Sequence, residues 1–550
     1  ALFLAVQCHE LLPIPQGNNP LLPFRSLFKS SVMLLFILSS FSRRTTSTPT
    51  EPSPIITSTC RAARYREACR MALSSHAAGV SEDPTELFRL SVKFTHREAR
   101  SARVLLGNLS HGGDGGLELV LDLIGDSLDQ LKKVLDHHRH DGDGAHTWLS
   151  AAVTNQDTCA TALRTHKFGN EEDRLAATAV ADNLFRFTAN SLALFVSGDT
   201  KNRSRGGARR LLTSGEFPEW VGAAERRVME APAEEIEAHA VAAKDGTGTH
   251  ETVREAIEAG MAAAGGQGRA VIYVKAGTYA EADLNIPARR INVLMVGDGK
   301  GKTVITGSKS NSGGYKTIAS ATFAVYGDGF MARDITFANT AGPGKNQAVA
   351  LRVASDRSVF FRCSIEGYQD TLYSYSKRQF YRDSDISGTV DFIFGNAAAV
   401  FQGCNLYVRA ALPGIKNYVT AQGRLDPNQN TGFSIHNCRI TAAASGSRSP
   451  AYLGRPWRPY SRTVVMQSFL GDVVDPAGWA PWGSGSGLST VFYGEYMNSG
   501  PGSATAGRVR SPGYRPALAL AEAQKFTVDS FISGNQWLPT TGVTFDSGLI

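Results

Sequence analysis

A short repeat runs through the C-terminal half of the chain, and it constrains the fold more than any other feature. Each copy is a run of β-branched or aromatic residues that leads to Cys or Ser and then to Ile or Leu. The copies occupy residues 360–365, 380–386, 400–406 and 434–440. Positions 363, 384 and 404 follow one another at a nearly constant step, and the longer step to position 438 fits an inserted loop. A period near 20 without long helical segments between the strands predicts an all-β, right-handed parallel β-helix.

The N-terminal half has a different pattern. Between residues 60 and 198 apolar residues recur every three or four positions, as in the run 117–131. This is the period of an amphipathic helix, and stretches rich in Gly, His and Asp at 107–116 and 137–146 separate the segments. The pattern predicts a bundle of four or five helices with short connections.

A polar, basic stretch at 199–229 separates the two halves. It contains Arg209-Arg210-Leu211-Leu212 and a second arginine pair, and its composition cannot form an apolar core. We interpret it as a linker open to a processing protease; the alternative is a solvated run of charges. The chain then divides into 1–59, a targeting segment and linker; 60–198, the helical bundle; 199–229, the processing linker; and 230–550, the β-helix.

Residues 29–44 predict secretion. A basic flank precedes a short apolar run at 32–38, which is shorter than the ~20 residues of a membrane span. Such a segment is typical of a signal peptide or signal anchor, with a buried helix or strand as the alternative. Sequons at Asn108 and Asn202 fit a secreted glycoprotein. Residues 1–25 match no targeting pattern.

Composition excludes several classes of protein. Hydrophobic residues make up 42% and charged residues 19% of the 550 residues, which excludes a wholly disordered chain. A mean hydropathy of −0.17 excludes a polytopic membrane protein. The net charge of +7 is compatible with a polyanionic partner, either nucleic acid or an acidic polysaccharide, and selects neither.

The repeat predicts a chemical site. Asp370 and Asp391 are separated by one period, or one coil, so their carboxylates lie side by side with Cα atoms roughly 5 Å apart if the coils stack in register. Gln347 and Gln369 have nearly the same separation, which places two amides on neighbouring coils beside the acids. The alternative interpretation is that these Asp residues only form turns or stack.

Two adjacent carboxylates rarely ionise together, and a nearby cation keeps one of them charged. The result is one acid and one anionic nucleophile or base. Amide N–H groups beside them can hold a developing oxyanion. From this geometry alone we expect a hydrolase that acts on an ester, an amide or a glycoside.

Several motifs resemble those of the pectin methylesterase (pectinesterase) family. They are GTYAE at 277–281, QAVALR at 347–352, GYQDTLY at 367–373, DFIFGNA at 391–397 and LGRPW at 453–457. They occur in order within residues 241–550. Residues 60–198 more loosely resemble the four-helix pectin methylesterase inhibitor domain, and Arg209-Arg210-Leu211-Leu212 resembles the processing motif between the two domains.

The resemblance implies a role for each matching residue. Asp391 is the nucleophile that attacks the methyl-ester carbonyl of galacturonate, and Asp370 is the general acid and then the base. Gln347 and Gln369 stabilise the oxyanion. Arg455 keeps Asp391 charged. The residues that contact the substrate are Thr317, Gln347, Arg455 and Trp457.

The resemblance also implies the setting of the enzyme. It is a secreted, monomeric enzyme of the cell wall that acts on methyl-esterified pectin. A subtilase-like protease cuts the precursor at Arg209-Arg210-Leu211-Leu212. No cofactor, metal or nucleic acid takes part.

The cysteines depart from the family pattern. Cys60 and Cys69 match a family pair, whereas Val120 stands where the family partner of Cys159 is expected. Position 384, which faces Cys404 one coil back, is Ser, and Cys363 is two coils from Cys404, too far for a bridge. If Cys404 and Cys438 are on neighbouring coils, they are close enough for one.

Two other functions remain open at this stage. One is a β-helical polygalacturonase, which needs a different acidic cluster and a Gly-His-Gly signature that this sequence lacks. The other is a non-catalytic protein that inhibits or binds through its helical domain. The presence of Asp370, Asp391 and Arg455 argues against the second.

Overall fold

The structure is a computed structural model. It describes residues 53–75, 83–109, 115–203, 231–232, 235–265, 268–444, 449–483 and 488–550. The predicted targeting segment and the processing motif at 209–212 lie outside these residues. Within the described part of the chain, no helix has both the length and the apolar character needed to cross a membrane.

The C-terminal half is the predicted parallel β-helix. Its strands form three sheets of 11, 8 and 7 strands among the described residues, and successive strands along the chain pass from sheet I to sheet II to sheet III. Sheet I contains β1 (Ala240–Ala242), β2 (Ala270–Val274), β5 (Val293–Gly297), β8 (Met331–Arg333), β11 (Ser358–Phe361), β14 (Arg378–Arg382), β17 (Ala398–Gln402), β20 (Gly432–His436), β23 (Arg462–Met466), β25 (Phe492–Tyr496) and β26 (Tyr514–Arg515).

Sheets II and III complete each coil. Sheet II contains β3 (Gly277–Ala280), β6 (Thr303–Gly307), β9 (Thr336–Asn339), β12 (Ser364–Glu366), β15 (Asp385–Gly388), β18 (Asn405–Val408), β21 (Arg439–Ala442) and β24 (Phe469–Leu470). Sheet III contains β4 (Leu284–Ile286), β7 (Phe323–Val325), β10 (Leu351–Val353), β13 (Leu372–Ser374), β16 (Ile393–Gly395), β19 (Asn417–Gln422) and β22 (Ala451–Gly454).

The register of the coils explains the repeat. In sheet II, Ser364, Asp385, Asn405 and Arg439 pair in succession, so positions 363, 384, 404 and 438 lie at one place on four successive coils. The last step is the longest because the third of these coils carries two long connections, at 409–416 and 423–431. The inserted loop expected from the sequence is therefore two separate connections.

The N-terminal half is the predicted helical bundle. Its helices are α1 (Pro54–Thr59), α2 (Arg66–Ser74), α3 (Pro84–Leu109), α4 (Gly115–His137), α5 (Gly142–Thr165) and α6 (Glu171–Arg203). The last four pack around one apolar core that includes Leu87, Leu131 and Leu149. The helices extend past the boundaries predicted from sequence, because α1 begins at residue 54 and α6 continues to 203.

Local sequence explains where the helices begin. Asp83 accepts a hydrogen bond from the N–H of Thr85 at 3.0 Å, and Pro84 takes the first helical position of α3, which does not need an N–H. Asp141 caps α5 by accepting a bond from the N–H of Gly144 at 2.7 Å. Short helices α7 (Val253–Ala263), α8 (Leu520–Ala523) and α9 (Val528–Ile532) pack on the β-helix.

The cysteines follow the register. Cys60 and Cys69 form a disulfide, as the family pattern implied. Cys404 and Cys438 are on neighbouring coils, where they are buried and free, so the bridge considered from sequence is absent between them. Cys159 is also free, and its thiol lies 3.7 Å from the carbonyl oxygen of Val120.

Candidate active site

Asp370 and Asp391 lie at the same position on neighbouring coils. They precede β13 and β16, in which Leu372 pairs with Ile393. The N–H of Asp370 donates to the carbonyl of Val390 at 3.0 Å, which extends the same register back to the two acids. Both acids have positive φ, +62° and +52°, which is uncommon for residues other than glycine. The same left-handed turn therefore presents an acid on each of two adjacent coils.

Arg455 binds Asp391 through a two-pronged contact. It directly follows β22, and its Nε and Nη2 donate to Oδ1 and Oδ2 of Asp391 at 2.8 and 2.6 Å. The side chain of Arg455 is 20% exposed and that of Asp391 is 6% exposed. A bidentate, charge-assisted contact of this kind fixes both the charge and the plane of the carboxylate.

The two acids differ in electrostatic surroundings. Burial raises the pKa of Asp370 well above its ordinary value, the charge of Asp391 raises it further, and Arg455 opposes both. Burial also raises the pKa of Asp391, but the hydrogen bonds and charge of Arg455 act directly against that effect. Both pKa values are raised, and Arg455 favours the charged form of Asp391 over that of Asp370 when the pair shares one proton.

Gln347 and Gln369 lie beside the acids. The N–H of Ala348 donates to the carbonyl of Gln369 at 3.1 Å, which places Gln347 and Gln369 at matching positions on successive coils. Both glutamines are partly exposed, whereas Asp370 next in sequence is buried. Two partly exposed glutamines thus lie beside the buried acids, one on each of two neighbouring coils.

Two further residues expected to contact the substrate are Thr317, which precedes the acids in the chain, and Trp457, which follows them. Thr317 begins a 3₁₀ turn in the connection 311–320, whose Asn311 N–H donates to the carbonyl of Gln347 at 2.8 Å. Trp457 lies against Tyr373 and Phe394, with ring centroids 6.3 and 5.9 Å away. Tyr373 and Phe394 stack at 4.2 Å, so Trp457 completes an aromatic wall next to the strands that follow the acids.

Sequence reasoning missed Tyr418 and Trp482. The Cζ atom of Arg455 lies 4.0 Å from the ring centroid of Tyr418 and 4.3 Å from that of Trp482. Tyr418 comes later in the chain than the regular period would place it, because the connection 409–416 lengthens this coil. A search at the fixed step of the preceding coils does not reach it, because Tyr418 is the second residue of β19 and this strand begins only after that connection.

Helix α5 of the bundle packs on this face of the β-helix. The hydroxyl of Tyr375 donates to Oδ1 of Asn155 at 3.0 Å, and Nδ2 of Asn396 donates to the hydroxyl of Thr154 at 2.9 Å. Asp157 forms an ion pair with Arg458 at 2.6 Å. The small pocket beside the aromatic wall is lined from both sides, by Thr154, Asp157 and Thr158 of α5 and by Tyr373, Trp457 and Arg458 of the β-helix.

This geometry defines a class of protein. An acid with a raised pKa next to a carboxylate bound by an arginine, with two glutamines beside them, suits acid–base hydrolysis at a carbonyl or acetal carbon. Within the described ranges, no group of three or more His, Cys, Asp or Glu side chains is arranged to hold a metal ion. The fold and the site together fit a β-helical hydrolase.

Comparison with known proteins identifies the family. The Pectinesterase family model matches residues 239–535, and the model named Plant invertase/pectin methylesterase inhibitor matches residues 54–194. The chain belongs to the pectinesterase family. It is an enzyme, a carboxylic ester hydrolase that acts on the methyl esters of pectin, and it carries an inhibitor-type helical domain at its N-terminal side.

Individual relatives agree with this assignment. The chain is 53% identical over 489 residues to the Probable pectinesterase/pectinesterase inhibitor 35 of Arabidopsis thaliana, a match that covers 87% of this chain and 90% of the relative. It is 49% identical over 407 residues to Pectinesterase 2 of Citrus sinensis, with 73% and 76% covered. The solved pectin methylesterase from carrot is 50% identical with a TM-score of 0.55, and the match covers 57% of this chain and 99% of that one.

Proposed function

We propose that Asp391 is the nucleophile with which this chain removes the C6 methyl esters of homogalacturonan. The charged carboxylate of Asp391 attacks the ester carbonyl and forms an acyl-enzyme. Asp370 gives its proton to the departing methoxide, and methanol leaves. Asp370 then accepts a proton from water, which attacks the acyl-enzyme and restores the carboxylate of Asp391. The product leaves as a carboxylic acid that gives its proton to solvent.

The observation that carries this proposal is the pairing of Asp370 with Asp391 and the two-pronged contact that Arg455 makes with Asp391 rather than with Asp370. The asymmetry supports the assigned roles, because the carboxylate bound to Arg455 is held charged. The acid with the more strongly raised pKa keeps a proton to donate. Exchanging the two roles places the proton on the residue bonded to a cation.

Gln347 and Gln369 supply the oxyanion contacts in this proposal. Both residues are partly exposed and lie beside the acid pair, where we expect the ester carbonyl to enter. Removal of one oxyanion donor typically lowers kcat about 10²–10³-fold. Trp457 and Thr317 contact the sugar chain on either side, and Arg455 both orients Asp391 and lines the substrate site.

In this proposal the full chain is the precursor of the active β-helix. The contacts of α5 with Tyr375, Asn396 and Arg458 cover one side of the cleft, so the bundle stands where the polysaccharide has to lie. A subtilase-like protease that cuts at Arg209-Arg210-Leu211-Leu212 separates the two domains. The β-helix then acts as a monomer in the cell wall, outside the cell that secretes it.

The test is methanol release from highly esterified pectin without shortening of the polysaccharide chains. We expect wild type to release methanol and Asp391→Asn to lose it by a factor of about 10³ or more, as for removal of a covalent nucleophile. Chain shortening identifies a polygalacturonase instead. Inhibition of other pectinesterases without methanol release identifies an inhibitory protein. Unchanged methanol release by Asp391→Asn contradicts the assigned nucleophile.

A further inference from the structure

Asp370 and Asp391 occupy equivalent backbone positions on neighbouring coils. On the next two coils, tyrosines occupy the same position. Ile393 pairs with Thr420, so Asp391 is aligned with Tyr418, and Tyr418 pairs in turn with Tyr452. The order of side chains at this position is therefore Asp370, Asp391, Tyr418 and Tyr452.

The backbone fixes Tyr418 directly beside Asp391. The N–H of Tyr418 donates to the carbonyl of Thr389 at 3.2 Å, and the carbonyl of Tyr418 accepts the N–H of Phe392 at 3.3 Å. These two bonds bracket Asp391. Any displacement of Tyr418 along the strand direction has to break a bond to a close sequence neighbour of Asp391.

The ring of Tyr418 is placed against Arg455. The Cζ atom of the guanidinium lies 4.0 Å from the centroid of the ring, well inside the ~6 Å reach of a cation–π contact. Tyr452 stacks on Tyr418, with centroids 5.5 Å apart and planes 18° from parallel. The tyrosine ring is therefore held on one side by a second ring while it contacts the cation that binds Asp391.

We propose that Tyr418 is a positioning residue, whose ring holds the Arg455 guanidinium in the plane that makes both hydrogen bonds to Asp391. The inference rests on the proposed role of Asp391 as nucleophile. Trp482 also lies on this guanidinium, with its ring centroid 4.3 Å from Cζ. Removal of the Tyr418 ring still leaves the guanidinium room to turn into the space that the ring filled, and one of its two bonds to the carboxylate is then lost. The carboxylate loses part of its stabilisation and takes up a proton at a higher pH.

Other groups also act on this carboxylate, and they stay unchanged when only the ring of Tyr418 is altered. Asp370 faces Asp391 from the preceding coil, and Arg455 faces it from the end of β22. Tyr493 of β25 also senses the charge of Asp391, which adds to the effect of burial in raising the pKa of that tyrosine. A shift in the titration of Asp391 on substitution of Tyr418 therefore reports on the position of Arg455.

The role predicts a kinetic signature that a merely structural residue does not produce. Tyr418→Leu and Tyr418→Met remove the aromatic face, and Tyr418→Phe keeps it without the hydroxyl. We expect Leu and Met to lower kcat about tenfold with KM within about twofold of wild type. The acidic limb of the kcat–pH profile moves to higher pH in both, by roughly half a unit to one unit. Tyr418→Phe keeps the limb of wild type.

The full chain is expressed in one secretory host, and cleavage between the bundle and the β-helix is verified by N-terminal sequencing, because the uncut bundle covers the cleft. Methanol release from esterified pectin is then measured from pH 4 to pH 9. Circular dichroism and thermal melting identify any variant that does not fold. If Tyr418→Leu does not fold, Tyr418→Met is used in its place, and the reverse. Asp391→Asn is carried through the same assay.

Three results overturn the inference. An unmoved acidic limb in the Leu or Met variant shows that the ring does not control Asp391. A raised KM with unchanged kcat shows a sugar contact instead. A Phe variant as impaired as Leu shows that the hydroxyl, not the ring, matters. In each case, loss of activity in Asp391→Asn still supports the proposed function. Retained activity in Asp391→Asn contradicts the assignment of Asp391 as the nucleophile.

Discussion

The interior of the β-helix and the contact between the bundle and the β-helix are both buried, yet they are built from different side chains. In the interior, one position on successive coils carries Ile365, Ile386, Leu406, Ile440 and Leu470. All five are fully buried. Because each side chain lies over a similar one on the next coil, successive coils repeat the same packing.

Aromatic rings in the interior follow the same rule. Phe360 stacks on Tyr381 at 5.0 Å and Tyr381 on Phe401 at 4.6 Å, with planes within 12° of parallel. The hydroxyl of Tyr381 is not left alone, since it donates to Oε1 of Gln379 at 2.8 Å. The interior therefore accepts a polar atom where a partner is supplied from the same coil.

The contact with the bundle mixes apolar packing with many polar side chains. On α5, Ser150, Thr154 and Asn155 are buried and bond to Gln429, Asn396 and Tyr375 of the β-helix. Lys377 of the β-helix, with a side chain that is 1% exposed, lies 3.4 Å from Asp126 of α4. Groups of this kind can be rehydrated when two surfaces part, whereas stacked Ile and Leu cannot.

Burial alone therefore does not distinguish the interior of one domain from a contact between two domains. Contacts between domains that part resemble transient interfaces, which are more polar than a core. We therefore expect changes inside the β-helix to alter its unfolding, and changes at the contact to alter mainly the association of the two domains.

The largest expected effect is on a buried ion pair of the β-helix. Arg378 donates from Nε and Nη2 to Asp356 at 2.9 and 2.7 Å, and both side chains are at most 4% exposed. Asp356→Asn removes the charged carboxylate that the buried guanidinium of Arg378 is bonded to, and we expect a loss of about 3–5 kcal/mol in the free energy of unfolding at pH 7. Denaturant unfolding measures it.

The pH dependence provides the check on this prediction. Burial raises the pKa of Asp356, but the charge and hydrogen bonds of Arg378 outweigh it and hold the pKa well below its ordinary value. The stabilisation is therefore fully present above the pKa of the unfolded chain, about 4, and is lost as the pH falls below it. A difference between wild type and Asp356→Asn that persists undiminished at pH 2 contradicts this origin.

The next effect has the opposite sign. Burial and the charge of Asp391 raise the pKa of Asp370 in the folded protein, so above about pH 4 the folded state holds a proton that the unfolded chain releases. Wild type therefore loses stability as the pH rises above about 4, by about 1.4 kcal/mol for each unit that separates the two pKa values. Asp370→Asn, which is neutral in both states, avoids the loss.

We expect Asp370→Asn to be more stable than wild type at pH 7 by about 1–2 kcal/mol, equal to it near pH 4, and inactive. Thermal unfolding at the two pH values and methanol release measure the three properties. Asp391→Asn is the matched control. It removes the carboxylate that Arg455 binds, so we expect it not to stabilise the folded protein at pH 7. An Asp370→Asn chain that gains nothing at pH 7 shows that the acid is not destabilised by its site.

The same contrast explains what the sequence could predict. The period of the β-helix places Asp370 beside Asp391 by counting alone, because the chain pairs with itself at a nearly constant step. Arg455 and Trp457 follow Asp391 only after coils of unequal length, and only family resemblance found them. Tyr418 was missed because the connection 409–416 changes the step at the coil that carries it.

The contact with the bundle could not be read from sequence. Periodicity within α5 indicates a helix with one buried face, and it does not show that Ser150, Thr154 and Asn155 are buried as well. Their partners Tyr375 and Asn396 lie in the other half of the chain, and the pairing depends on how the surfaces of the two domains fit. Local pattern contains no information on that fit.

The smallest expected effect is on an ion pair of the contact. Arg458 and Asp157 approach to 2.6 Å, but their side chains are 31% and 25% exposed, so water screens the pair and replaces it readily. We expect Asp157→Asn to weaken protection of the α5 amides in native-state hydrogen exchange by less than about 1 kcal/mol, and by less still at high salt.

Asn155→Ala is the matched variant, since it removes buried bonds to Tyr375 and Asp126 at 3.0 and 2.8 Å. We expect it to weaken protection of the same amides by about 1–3 kcal/mol. If Asp157→Asn instead weakens α5 as much as Asp356→Asn destabilises the β-helix, the contact is built like the interior and the two regions do not differ in kind.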